Sequence, residues 1–312
     1  MNCFIIGNGF DKAHNMKTGY ADFHEYIINR FPNLASDIVN ATNTTLLHDG
    51  DIFVNSCDVA SILCILLESV SGDDWNGFED SLGKINLIEC FDDLENIYDR
   101  DGERNLWHEA YNNEDRASDL SLLIPKIKEL FSEWIESVEP AESKLKDFSK
   151  LIDPEDDLFI TFNYTHTLED LYGCKNVIHM HGESGQEIIV GHNGTQNFTE
   201  ENPLVPTGCY DTLQHVYDEL RKNVADVINR HNDELKVVSN CENIYSYGFS
   251  YSSVDLPYID VICGFIKNKS VKWYNNYHDI KDIPSYEEKI RKSGFKGAFG
   301  TYKINKEFVT SQ

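Results

Sequence analysis

The chain has 312 residues, 41% hydrophobic and 12% aromatic, enough for one large core or two ordinary ones without disulfide or metal staples. Its 27 basic and 53 acidic side chains leave a formal net charge of −26, and with no basic stripe to offset that charge, nucleic acid is disfavoured as a partner. No apolar run reaches the roughly 18 residues of a membrane helix and no basic region precedes the first short apolar run, so neither a membrane span nor a leader is expected and the protein is read as cytoplasmic.

In chain order, residues 3–6 form a short apolar run stopped by glycine, which predicts a buried strand. Thr18 is placed to cap a helix running to about Phe31. From about 32 to 150 the pattern is helical: Ile52 to Val70 is apolar at nearly every turn, and Leu120, Leu123, Ile127, Leu130, Phe131, Trp134 and Val138 hold a 3.6-residue period. Strands are predicted at 158–161, 177–180 and 188–190, with a short helix near 167–172. A long amphipathic helix is predicted over 211–234, with Leu213, Val216, Tyr217, Leu220, Val224, Val227 and Ile228 on one face. Strand 243–247, helix 255–266 and strand 270–274 read as a βαβ unit, and the tail after Lys296 carries no clear pattern. The alternation predicts an α/β fold, a Rossmann-like open parallel sheet made of 1–31 and 151–312, with 32–150 as a helical insertion capping it. The eight cysteines contain no Cys-x-x-Cys pair and sit mostly in apolar runs, where a reduced thiol acts as a small hydrophobe.

Three of the apolar runs end in polar clusters: Gly7-Asn8-Gly9-Phe10-Asp11, Thr161-Phe162-Asn163-Tyr164-Thr165 and Gly248-Phe249-Ser250. Parallel strands share a carboxyl edge where ligands bind, so the three clusters are expected to form one solvent-reachable site. Gly7 and Gly9 would let backbone amides approach a phosphate, though a plain turn also explains them. Asp11 either contacts a ribose or orders the loop, or is a solvated turn residue. Asn163 offers donors and an acceptor to a sugar or a water. His179 and His181, two apart on a strand, are expected on one face. They suit metal ligands, with His14, His166 and His192 as further candidates, or a general base at His181, or core packing. The Gly-x-Ser-x-Gly elbow fails because position 252 is serine, so Ser250 is read as a hydrogen-bond donor rather than a nucleophile. Glu79, in Trp75-Asn76-Gly77-Phe78-Glu79, is a candidate to face the cleft.

These motifs, with Thr18-Gly19-Tyr20-Ala21-Asp22-Phe23, His179-Met180-His181-Gly182 and Gly191-His192-Asn193, together resemble the AbiH family of bacteriophage abortive-infection proteins. A more distant likeness is to sirtuin-like NAD-binding domains. That likeness implies Gly7 and Gly9 at the pyrophosphate, Asn163 at the nicotinamide ribose and His181 as the catalytic histidine, with Asn8, Asp11, Gly248 and Ser250 around the ligand. The chain departs from the sirtuin-like pattern at Thr165, where aspartate is usual, and lacks both the Gly-Ala-Gly turn and a cysteine-bound zinc module, which argues against deacetylation. The implied function is anti-phage defence by a nucleotide-binding protein that takes NAD as substrate or ligand and hydrolyses its nicotinamide N-glycosidic bond when triggered. A non-catalytic sensor of a nucleotide or phage protein, and a metal-dependent nucleotide hydrolase resting on His179 and His181, are the alternatives. The implied partners are a nucleotide and a phage-derived trigger protein, with self-association left open.

Overall fold

The computed structural model describes residues 1–42, 45–46, 52–72, 75 and 77–310. Asn76, part of the motif around Glu79, lies outside the described residues. Six strands form one sheet: β1 Cys3–Ile6, β2 Leu158–Thr161, β3 Asn176–His179, β4 Asn243–Tyr247, β5 Lys272–Asn276 and β6 Ala298–Tyr302. Their spatial order is β3-β2-β1-β4-β5-β6 and every pairing is parallel. This is the Rossmann order, whose direction reverses between β1 and β4. In register, Ile6 pairs with both Thr161 and Tyr247, and Thr161 pairs with His179. The three polar clusters therefore do leave the sheet at one edge.

β1 and β2 are buried at every position, which is why they read as unbroken apolar runs rather than alternating ones. On one face Ile5, Ile160, Ile178, Ile244 and Trp273 pack with Tyr258, Ile259 and Ile262 of the helix Leu256–Phe265. On the other, Phe4, Ile6 and Phe159 pack with Phe10, Phe148, Leu168 and Leu171.

The chain divides into two compact units: residues 1–19, 135–189 and 223–312, which hold the sheet, and residues 20–134 and 190–222, which are mainly helical. The sequence-based boundaries were 31 and 150, with 190–222 placed beside the sheet. In the helical unit Phe23 centres an aromatic cluster with Trp75, Phe78, Phe131 and Trp134, at ring separations of 5.6, 5.6, 5.1 and 5.0 Å. None of the described helices is long and apolar enough to cross a membrane.

Three predicted elements differ. Residues 188–190 form no strand, and the Ile189 N–H donates to the His181 carbonyl instead. The helix predicted over 211–234 is broken into Tyr210–Glu219, Val224–Arg230 and Asn232–Leu235. Its first break lies at 220–223, where His192 N–H donates to Leu220 O and Lys222 N–H to His192 O, and Asn223 caps the next helix. The apolar stripe thus serves two cores, with Leu213, Val216 and Tyr217 buried in one unit and Val227 in the other. The unpatterned tail supplies edge strand β6 and then Phe308–Thr310, which pairs antiparallel with Ser143–Leu145.

Candidate functional site

The glycines of the first and third clusters meet each other. Gly9 N–H donates to Gly248 O and Gly7 N–H to Tyr247 O, both at 3.0 Å. A Cβ on Gly7 would lie 2.5 Å from Gly248 O, and one on Gly9 would lie 2.5 Å from Gly248 Cα. Gly248 itself has φ of +63°, a left-handed conformation that glycine adopts at no steric cost. The two turns thus need glycine to let the β1 and β4 ends touch, and the Gly7 and Gly9 amides expected to face a phosphate are committed to β4. Asn8 is likewise occupied, its amide donating to Thr18 O at 2.7 Å and its Oδ1 accepting from the Thr18 hydroxyl at 2.6 Å. That contact uses the hydroxyl expected to cap the following helix.

Asp11 turns inward, 1% exposed, and is not a solvated turn residue. Its Oδ2 accepts from the Thr165 hydroxyl at 2.7 Å and its Oδ1 from the Thr167 hydroxyl at 3.1 Å. The Asn163 amide donates to it as well. Burial pushes its carboxyl up to about 6, even though the bonds from Thr165, Thr167 and Asn163 and the nearby His179 hold it down. Position 165, which lacks the aspartate of the sirtuin-like pattern, therefore presents a hydroxyl to a carboxylate supplied from the first turn. Asn163 is 5% exposed and its Oδ1 is buried without a hydrogen-bond partner among the described residues. An unmet buried acceptor costs stability.

β3 pairing ends at His179, so strand alternation does not extend to His181 and the two imidazoles reach different partners. His179 Nε2 lies 2.7 Å from Glu169 Oε1 and Nδ1 lies 3.3 Å from the Asn163 carbonyl. Burial lowers its basicity, but the Glu169 bond and charge outweigh that and raise it above the ordinary value. With acceptors at both nitrogens, His179 is satisfied only as the imidazolium, and it fixes the Asn163 backbone. His181 Nε2 lies 3.3 Å from Asp255 Oδ1, whose other oxygen accepts from the Ser252 hydroxyl at 2.9 Å. Asp255 thus stands beside a histidine at ion-pair distance, without hydrogen-bond geometry, and caps no N–H of its own helix. His181 is 4% exposed, packed edge-on to Phe162 at 5.1 Å, so the expectation of solvent-reachable side chains is corrected: Asn163 and His181 are both buried beneath the edge.

The other three candidate histidines are structural or surface groups. His14 bridges Phe10 O and the Tyr172 hydroxyl, and burial lowers its basicity. His192 accepts the Gly194 N–H at Nδ1, so its Nε2–H donates to Tyr217 O and the ring is neutral. His166 pairs with Glu183 at 2.8 Å. Among the described residues no group of three or more His, Cys, Asp or Glu is placed to hold a metal ion. Glu79, expected at the cleft, is buried in the helical unit, accepting from Lys222 Nζ at 2.9 Å and Gly191 N–H at 3.2 Å.

Ser250 is exposed beside Gly248 and lines, with Gly9, a cavity of about 260 Å³ on the same edge. Sequence reasoning missed Thr167, Glu169 and Asp255 as members of the polar network. A hydroxyl or carboxylate beside a strand end is too common a signal to single out, and their partners are distant in sequence.

No curated protein and no solved structure matches the chain. A family model does, that of bacteriophage abortive infection AbiH, over residues 3–277. That match includes the glycine turn, the Asp11–Asn163 network and the His181–Asp255 pair, and the chain belongs to the AbiH family.

Proposed function

We propose that the protein acts in phage defence by binding a nucleotide, NAD first among candidates, at the β1–β4 switch point and hydrolysing its nicotinamide N-glycosidic bond. The observation that carries this is the buried, unpartnered Oδ1 of Asn163 beside the Asp11 carboxylate, at the edge where an open parallel sheet binds its ligands. When the C1′–N bond breaks, its electron pair leaves with nicotinamide and the ribose becomes cationic. A carboxylate held in a dry site stabilises that charge. Asn163 Oδ1 accepts from a ribose hydroxyl or the attacking water. His181, beside the Asp255 carboxylate, takes the proton that water loses as its oxygen bonds C1′. His179 is a positioning residue acting through the Asn163 backbone. In this reading the protein works in the cytoplasm and a phage-derived protein is the trigger.

The test follows NAD in phage-infected cells expressing the wild type, Asn163→Ala or His181→Gln, together with nicotinamide release by purified protein supplemented with extract of phage-infected cells. NAD should fall and nicotinamide appear in the wild type only. NAD that binds the wild type but is never consumed, even during infection, would favour the sensor reading, and failure to bind NAD at all would overturn the glycohydrolase and leave a sensor of another nucleotide or of a phage protein.

A further inference from the structure

The cavity beside Ser250 has no role in the bond-breaking step above, and its lining is unlike the rest of the surface. Lys12 and Lys306 both reach it, and neither has a carboxylate partner among the described residues, in a chain with 53 acidic and 27 basic side chains. Lys12 follows Asp11 on the short helix Gly9–Ala13, and while Asp11 faces Thr165 and Thr167, Lys12 faces the cavity. The residues flanking Lys306 are tied to the rest of the sheet unit. Tyr302 at the end of β6 donates from its hydroxyl to Ser246 O at 2.9 Å. Asn305 donates through its amide to Asp147 Oδ2 at 2.7 Å, and Glu307 pairs with Lys146 at 3.1 Å.

The remaining walls are of two kinds. Asn276 and Ser250 bring polar groups, and Asn276 is held by the His278 N–H, which its Oδ1 accepts at 3.1 Å. Tyr247, Phe249 and Tyr286 bring aromatic surface. Asp279 also lines the cavity, a carboxylate that opposes an anion and that the two lysines must outweigh. Two lysine side chains beside aromatic rings match an anionic ligand carrying a flat ring system. Size then decides how much of it fits. About 260 Å³ lies just under the roughly 300–1,000 Å³ of sites for drug-sized ligands, so it takes one nucleoside phosphate rather than a whole dinucleotide.

The geometry points to this cavity as a binding site for a nucleoside monophosphate unit, free or as half of a dinucleotide, with its phosphate between Lys12 and Lys306 and its base against the aromatic wall. As the dinucleotide half it rests on the reading of this edge as a nucleotide site. Asp279, Tyr286 and Lys306 lie beyond residue 277, where the family match ends, so the pocket's far wall belongs to this chain's own tail.

Titration calorimetry with AMP, ADP-ribose and adenosine tests it on the wild type, Lys12→Ala, Lys306→Ala, the double variant and Lys306→Arg. Both lysines are exposed, so these variants should keep the wild-type circular dichroism and melting temperature. AMP and ADP-ribose should bind the wild type, each alanine should weaken binding roughly tenfold, adenosine should be insensitive to both, and arginine should restore most of the loss. AMP that fails to bind at millimolar concentration, or binds the double variant as tightly as the wild type, would overturn the assignment. The two proposals fail separately: AMP binding without nicotinamide release removes only the glycohydrolase, and release by the double variant at unchanged KM removes only the cavity's role.

Discussion

Two buried polar clusters, one in each unit, are finished differently. In the helical unit Glu79 has a lysine and a backbone amide, and Lys222 is completely buried against it. Charge is matched by charge, so removing either partner exposes the full desolvation cost of the other. In the sheet unit Asp11 has three neutral donors and a histidine charge nearby, yet its carboxyl is still pushed up to about 6, and Asn163 keeps an unmet oxygen. The first cluster is built for stability. The second holds a carboxylate and an acceptor at a cost in stability.

The largest effect expected is in the matched pair. Lys222→Met leaves Glu79 buried and uncompensated, and should cost about 3–5 kcal/mol in urea or thermal unfolding. A loss under about 1 kcal/mol would break the structural half of the comparison.

Asp11→Asn should do the opposite. The folded carboxyl, at about 6, lies above the unfolded value near 3.9, so folding favours its protonated form. Its stabilising contribution is complete below about pH 4 and is lost as pH rises through about 6. Asparagine mimics the protonated acid, so the variant should match the wild type near pH 4 and exceed it at pH 8 by on the order of 1–3 kcal/mol, while protection against phage disappears. A variant less stable than wild type at pH 8 would make the carboxylate structural.

Thr165→Val sharpens the same point more gently. It removes the 2.7 Å donor to Asp11, so the midpoint of the pH-dependent stability difference between this variant and its Asp11→Asn double should rise by about one pH unit. An unmoved midpoint would show that Thr167 and Asn163 alone hold the charge. The smallest effect sets the baseline: Arg30→Ala breaks a half-exposed pair with Glu133 at 3.2 Å, and should change stability by under about 1 kcal/mol and protection not at all.

Much of the sheet was legible because its signals are local. An apolar run ended by glycine or an Asn-Tyr pair places β1, β2 and β4 within a residue or so; β1 and β2, buried on both faces, need mostly apolar side chains, whereas half-buried β4 was marked by its aromatic and β-branched residues and the glycine that stops it. Their common edge followed from the parallel alternation. Edge strand β6 was not legible, because Ala298–Tyr302 is only partly buried and carries a glycine in its middle. Nor was the break at 220–223, because an unbroken 3.6-residue stripe does not reveal that its halves face different cores.

By itself the sequence determined which residues would stand at the carboxyl edge: Gly7, Asn163, Gly248 and their neighbours, since each follows directly from where a strand stops. Only the tertiary structure decided what those residues do there. It turned the glycines toward each other's backbone, sent Asp11 to a threonine 154 positions away and set Asp255 against His181, leaving Asn163 with one unanswered oxygen. Periodicity reports the face on which a side chain lies. Whether a buried polar atom finds a partner depends on groups that only folding brings within 3 Å or so of it.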